Sequence, residues 1–313
     1  TKAGVDWINI YQSIYNIKDW NKEIELVKSE NPDLIVPAYY NNKFHGYELG
    51  NLCINSAIEQ ELAGKAVGAR NFPDDGIKGE EKLRKCYEDT IIKLGGNIIP
   101  DDSIIVDFGC GTGTSTRRLA KFFPNAKEVI GFDLSPYMIS IGRFLTKELK
   151  NYSNITWVDE IYSDDRIEYR YSDIAKTNLP DNSVSFVSIC LVLHELPQAN
   201  TIDILKEAYR ILKPGGKLSI LEMDPQSPGY VKLRQTPLLY SIIRSTEPYL
   251  DEYFGLFSSL PSVLNEIGFP IVSFKEATGR HSTFISIKPG NIDYRVSDIE
   301  RLKIDSHAQP LEK

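Results

Sequence analysis

One stretch limits the fold more than any other: IIVDFGCGTGTSTRRLA, residues 104–120. An apolar run of strand length passes straight into three glycines, Gly109, Gly111 and Gly113, and then into a helix-forming segment. Glycine lets the backbone turn tightly and approach a ligand with no Cβ in the way. A strand, a glycine loop and a helix in that order belong to a βαβ fold with a parallel sheet. The pattern D-F-G-C-G-T-G differs from the G-x-G-x-x-G of a dinucleotide loop. A ligand without a pyrophosphate is therefore expected, held around Gly109, Cys110, Gly111, Thr112 and Gly113.

The chain beyond this point repeats the same alternation. Short apolar runs at Ile104–Phe108, Val129–Phe132, Ile167–Tyr171, Val184–Cys190, Lys217–Leu221, Ile271–Phe274 and Thr283–Ile287 read as strands. Helical spacing covers Thr114–Phe123, Pro136–Leu149 and the face Ile202, Leu205, Tyr209, Leu212. Residues 1–100 read as a helical front section, with Ile8, Tyr11 and Tyr15 on one face and Leu83, Tyr87, Ile91 and Leu94 on another. Asn51 is the expected cap of a helix between them, and Gly95-Gly96 a helix stop. The expected division is a helical front section and substrate lid over 1–100, a ligand-binding domain over 101–287 with a pocket insert at 225–255, and a polar tail over 288–313.

Acidic residues recur at strand ends. Asp107 closes the first strand, where it can meet the ammonium of an amino acid. Asp133 closes the second, about 20 residues on, where a carboxylate accepts from ribose hydroxyls. Asp173 follows the third, placed for an adenine amino group, with Ile174 against the ring. Three such carboxylates fit an adenosine carrying an amino-acid arm. Leu134 and Leu191 complete the expected cofactor set.

The formal net charge of -7, with no basic stripe, argues against a nucleic-acid partner. Cys53, Cys86, Cys110 and Cys190 lack metal-site spacing and are expected unbridged; no metal is expected. No run approaches the roughly 20 apolar residues of a membrane span. A soluble intracellular protein is expected, in the cytoplasm or, if a targeting segment once preceded Thr1, in an organelle stroma. Oligomeric state is not readable.

The segments VDFGCGTG, GFDLS, YSDIAKTNLPDNSVSFV, LVLHELP and ILKPGGKLSILEMD together resemble the class I S-adenosylmethionine-dependent methyltransferases. Within that class the chain is similar to the ubiquinone and menaquinone C-methyltransferase branch. A closer likeness, to a plant, algal and cyanobacterial set, rests on YYNNKFHGYELGNLC and STEPYLDEY, although NNKFHGYELG departs from that set's more aromatic form. The resemblance implies a Rossmann-like α/β fold with a seven-stranded sheet, mostly parallel with the last strand antiparallel, capped by N-terminal helices. It implies S-adenosyl-L-methionine over the strand ends. Gly109, Gly111 and Gly113 would lie under its methionine part, Asp133 at its ribose, and Asp173 with Ile174 at its adenine.

The chemistry expected is in-line methyl transfer to a small-molecule acceptor, of quinol-like or lipophilic C- or O-type. A small amine, or binding of the cofactor by a non-catalytic partner protein, are the alternatives. His194, after the fourth strand, and His45 are the candidate bases. Tyr39, Tyr40, Phe44 and Tyr47 surround His45 as a water-excluding lid. With His194, the insert residues Tyr240, Glu247 and Tyr253 are the further acceptor-pocket candidates.

Overall fold

A computed structural model describes residues 6–152 and 163–290. The tail expected over 288–313 lies outside the described residues from 291 onward.

The seven strands are β1 Ile104–Phe108, β2 Glu128–Asp133, β3 Ile167–Tyr171, β4 Val184–Cys190, β5 Leu212–Met223, β6 Val272–Thr278 and β7 His281–Ile287. They form one sheet in the order β3-β2-β1-β4-β5-β7-β6. β1 to β5 pair in parallel, and β7 runs antiparallel to both β5 and β6. The expected seven-stranded sheet, with its last strand reversed, is thus observed. β1, β2 and β4 have helices on both faces, which is why their sequences are near-continuous apolar runs rather than alternating ones. β6, at the edge, carries exposed Lys275 and Glu276, which blunt an open ladder.

Eleven α-helices occur among the described residues: α1 Trp7–Tyr15, α2 Trp20–Ser29, α3 Ile54–Asn71, α4 Gly79–Lys93, α5 Thr114–Phe122, α6 Pro136–Arg143, α7 Gln198–Ile211, α8 Pro228–Arg234, α9 Pro237–Thr246, α10 Leu250–Phe257 and α11 Leu260–Ile267. Ile204 and Ala208 of α7, Leu250 of α10 and Leu264 of α11 pack with Phe108 and Val187 on one face of the sheet. Leu83 and Tyr87 of α4 and Leu119 of α5 pack with Ile105 and Phe186 on the other. A third cluster, including Ile14, Trp20, Ile58 and Met138, joins α1, α2 and α3 to α6.

Three expectations are corrected. The helix expected from 136 to 149 ends at Arg143 and continues as a π-turn, Phe144–Glu148. The fifth strand is longer than expected because its pairing with β4 resumes beyond a bulge, Val184 opposite Leu212. Asn51 does not cap α3, whose N-cap is Cys53. The Asn51 carbonyl instead accepts from Ser135 Oγ at 2.6 Å and its amide donates to Glu195 at 3.3 Å, tying the front section to the sheet.

α3 reaches the sheet's ligand end because α3 and α4 meet backbone to backbone. A Cβ on Gly68 would collide with the Glu80 amide, and one on Gly79 with the Gly68 carbonyl. Two glycines permit a helix approach that no side chain allows. All four cysteines are free thiols. Among the described residues no helix is long and apolar enough to cross a membrane, and no His, Cys, Asp or Glu cluster has metal-binding geometry.

Candidate functional site

β1 lies between β2 and β4. The chain runs outward from it to β2 on one side and to β4 on the other, so the strand order reverses here. Ligands bind outside the carboxyl ends of parallel strands at such a point. The glycine loop occupies it. Gly109, Gly111 and Gly113 all take positive φ, at 67°, 52° and 88°. A Cβ at Gly109 would strike Val192, one at Gly111 the Gln60 amide, and one at Gly113 the Tyr169 hydroxyl. Conformation and space both demand glycine.

Two of the expected carboxylates flank the loop. Asp133 accepts from Gly111 N at 2.9 Å on Oδ2, and from Ser135 N at 2.8 Å and the Tyr40 hydroxyl at 3.0 Å on Oδ1. Burial raises its pKa against the pull of these bonds. Asp107 is fully buried; its Oδ2 accepts from Ser115 and Thr116 hydroxyls at 2.7 Å each. Its Oδ1 has no partner among the described residues. Burial pushes its pKa up to about 6, opposed by the two hydroxyls and the Arg84 charge. Arg84, from α4, bonds Glu80 at 2.7 Å and the Cys190 thiol at 2.9 Å.

α3 roofs the loop. Gln60 accepts from Thr112 N at 2.5 Å. Glu61 accepts from Thr112 and Thr114 hydroxyls, at 3.1 and 2.8 Å, and from Arg117 at 2.5 Å. These bonds and the Arg117 charge hold Glu61 below the usual carboxylate range despite burial. Neither Gln60 nor Glu61 was legible as a site residue. A polar pair in an amphipathic helix reads the same whether it meets solvent or a neighbouring loop.

A chain of alternating carboxylates and imidazoles forms the far side. Glu222, at the end of β5 and with no exposed surface, accepts from His194 Nδ1 at 2.9 Å, Leu193 N at 2.7 Å and Met223 N at 2.9 Å. His194 Nε2 lies 4.0 Å from Glu195. His45 Nε2 lies 3.4 Å from Glu195 and 3.3 Å from Glu247 Oε1. The other Glu247 oxygen, buried, has no partner among the described residues. Burial works against the charge on His194, but the Glu222 charge and hydrogen bond outweigh it and raise the pKa to about 9. His45 rises to about 9 in the same way, between Glu195 and Glu247. Its backbone is left-handed, φ 51°, and its N–H donates to the Thr246 carbonyl at 3.1 Å.

A cavity of about 820 Å³ joins the loop side to this chain. Gly109, Cys110, Asp133, Leu134, Ile174 and Leu191 line it on one side. His45, His194, Glu195 and Glu247 line it on the other, beneath Tyr39, Tyr40, Phe44 and Tyr47. Gly111, Thr112 and Gly113 lie beneath the α3 roof, and Asp107 behind the loop, outside the cavity wall. Asp173 also falls outside the wall; its Oδ1 accepts from Ala175 N at 2.8 Å, a turn-capping bond. Tyr240 is half-buried and lies outside the cavity wall, with the Arg244 guanidinium over its ring. Tyr253 is buried in the core and donates to the Met223 carbonyl at 2.8 Å. His281 lines the cavity with Nδ1 2.9 Å from the Thr278 hydroxyl, and burial lowers its pKa to about 4.

Residues 106–220 match a family model described as a methyltransferase domain. The chain is 31% identical over 150 residues to the demethylmenaquinone methyltransferase of Anoxybacillus flavithermus, which covers 48% of this chain and 55% of that protein. It is 26% identical over 210 residues to the ubiquinone/menaquinone biosynthesis C-methyltransferase UbiE of Ectopseudomonas mendocina, which covers 63% of this chain and 76% of that one. The first of these matches thus spans little more than half of the relative's length. A solved SAM-dependent methyltransferase from Aquifex aeolicus superposes with a TM-score of 0.43 at 19% identity, over 66% of this chain and 97% of its own. The matched family segment begins within β1 and ends within β5, so the strands and the glycine loop that build this site lie in the part of the chain that is similar to a methyltransferase domain.

Proposed function

We propose that the chain transfers the methyl group of S-adenosylmethionine to a small acceptor of quinol or phenol type. The observation that carries this reading is the single cavity that has the glycine loop and Asp133 on one wall and the His45–Glu247 pair on the other. The residues present suit the cofactor. The unpartnered Asp107 oxygen, behind the loop, suits an ammonium reached through a water. Asp133 suits a ribose diol, with Leu134 and Ile174 as apolar contacts for the base. Asp173, whose Oδ1 caps a turn, would meet the adenine amino group through Oδ2.

When bound, S-adenosylmethionine supplies an electrophilic methyl carbon on a sulfonium. The protein's part is to orient, to exclude water and to take a proton. With both imidazoles held as cations at neutral pH, they donate rather than accept. The proton acceptor in this reading is Glu247, through its unpartnered oxygen, and His45 steadies the charge that remains. This moves the base role from the two histidines to a carboxylate. The aromatic residues 39–47 act as the lid. The same free carboxylate oxygen supports a second reading, an amine acceptor that binds as its ammonium and gives a proton to Glu247, freeing the nitrogen lone pair that takes the methyl group.

The lid reading carries a signed prediction. A carboxylate oxygen has about two acceptor positions, and those of Asp133 Oδ1 are taken by Ser135 N and Tyr40. A ribose diol that grips both oxygens displaces the Tyr40 hydroxyl. Tyr40→Phe should therefore bind cofactor roughly 3- to 10-fold more tightly, the worth of about one hydrogen bond. A threefold loss by calorimetry would show that Tyr40 instead stays and contributes.

The narrower kinship with the plant, algal and cyanobacterial set rests on residues 39–53 and 245–253. These two segments pack on one another: His45 N donates to Thr246 O, and Asn42 donates to the Tyr249 hydroxyl at 2.5 Å. They form one side of the proposed acceptor pocket, so a shared motif there is a shared pocket wall.

The test is transfer of labelled methyl from S-adenosylmethionine to 1,4-dihydroxynaphthalene, simple phenols and small amines, after calorimetric binding of the cofactor and its demethylated product. Micromolar cofactor binding with phenol or quinol methylation supports the reading. Methylation of amines alone selects the second reading. Folded protein that binds neither cofactor nor product overturns both.

A further inference from the structure

α9 has no buried residue along its ten positions. Successive residues of a helix are turned by roughly 100°, so Leu238, Ile242, Leu239 and Ile243 fall within one arc of roughly 140°. Ile243, at one border, packs against the core. Leu238, at the other, is 73% exposed, and Leu239 and Ile242 are about half exposed. Val231, from the neighbouring α8, is exposed as well. Ile242 and Ile243 also line the cavity. The apolar wall of the pocket therefore runs out onto the surface, with Thr246, whose hydroxyl donates to the Ile243 carbonyl at 2.9 Å, as the polar residue of this arc.

The charges carried by α8 and α9 themselves have one sign. Residues 225–246 contain Lys232, Arg234 and Arg244 and no acidic residue, in a chain whose formal net charge is -7. Lys232 and Arg234 are exposed; Arg244 bonds Asp251 of α10. An apolar helix face fringed by cations is the pattern of an element lying in a lipid headgroup layer. A second copy is disfavoured as the occupant, because a two-fold contact on this face sets the Lys232 and Arg234 fringes of the two chains near each other.

We propose that α8 and α9 dock the chain on an anionic lipid surface, with Leu238, Leu239, Ile242 and Val231 inserted between headgroups and Lys232 and Arg234 at the phosphates. A lipophilic acceptor then passes from the bilayer along Ile242 and Ile243 into the cavity. The docking goes beyond the methyl-transfer reading and stands without it; only the acceptor path rests on it.

The experiment is co-sedimentation of the full chain with vesicles of phosphatidylcholine containing about a third phosphatidylglycerol, beside pure phosphatidylcholine. The chain is expected to pellet with the anionic vesicles and at least fivefold less with the neutral ones. Leu238→Glu/Leu239→Glu, which alters two exposed positions outside the cavity wall, should lower the bound fraction at least tenfold with an unchanged melting temperature. Lys232→Glu/Arg234→Glu should lower it at least fivefold on anionic vesicles. A chain that does not pellet, or a leucine pair variant that pellets like the parent, overturns the docking. So does a dimer in light scattering that the leucine variant dissolves, since a second copy then covers the face. Calorimetry on the same samples keeps the two readings apart: lost cofactor binding with intact vesicle binding sinks the methyl-transfer reading alone.

Discussion

Asp133→Asn is expected to weaken S-adenosylmethionine binding by 100-fold or more while leaving the protein folded. The argument is one of donors and acceptors. Both oxygens of Asp133 already face donors: Gly111 N on one, Ser135 N and the Tyr40 hydroxyl on the other. An amide in place of the carboxylate turns one acceptor into a donor pair that must point at a backbone N–H. It also removes the charge that strengthens hydrogen bonds to a ribose diol. Bonds to a charged acceptor are worth about 1.5–3 kcal/mol each. Two of them give about 3–6 kcal/mol, and every 1.4 kcal/mol is tenfold in affinity. The burial of Asp133 keeps water from filling in. Calorimetry with the cofactor and its demethylated product checks this, with circular dichroism as the folding control. Binding within threefold of the parent would mean that Asp133 serves the loop and the lid only, and that the ribose lies elsewhere.

The same residue shows why part of this site is readable from the chain alone. A buried parallel strand must be apolar on both faces, so β1, β2 and β4 announce themselves as short unbroken runs. A glycine whose φ is positive and whose Cβ would strike a neighbour has few substitutes, so Gly109, Gly111 and Gly113 stand out at fixed spacing. Asp133 stands out because a carboxylate ending an apolar strand is out of place unless it meets something. The α3 roof gives no such signal. Gln60 reaches Thr112, 52 positions away, only because Gly68 and Gly79 let α3 and α4 touch. Neither glycine is remarkable by its local sequence. The insert shows the opposite error. Tyr240, Glu247 and Tyr253 look alike as polar residues in one insert, yet Glu247 lines the cavity, Tyr253 fills the core, and Tyr240 packs under Arg244 outside the cavity wall. Which way a short helix turns depends on what packs against it, and α8 to α10 pack against residues far away in the chain.

The largest effect on stability is expected from Glu222. Its carboxylate is wholly buried and takes two backbone N–H groups besides His194. Glu222→Gln keeps the shape but removes the charge that faces the His194 cation. Removing one member of a buried ion pair typically costs about 3–5 kcal/mol. The pH dependence distinguishes a lost charge from a lost fit. His194 has a folded pKa of about 9 against an ordinary value of 6.5. A value raised on folding gives a contribution that is complete below pH 6.5 and lost as pH climbs through 9. At 1.36 kcal/mol per pKa unit it is on the order of 3 kcal/mol. His45 is raised too, but with 40% of its side chain exposed its cation adds less to stability than that of the buried His194. The parent should therefore lose stability to urea between pH 6.5 and 9. Glu222→Gln should start lower by about 3 kcal/mol at pH 6, lose much less over that range, and approach the parent near pH 9.5. A variant displaced by the same amount at every pH would locate the damage in the Leu193 and Met223 backbone bonds, and would remove the charge on His194 as the source of the effect.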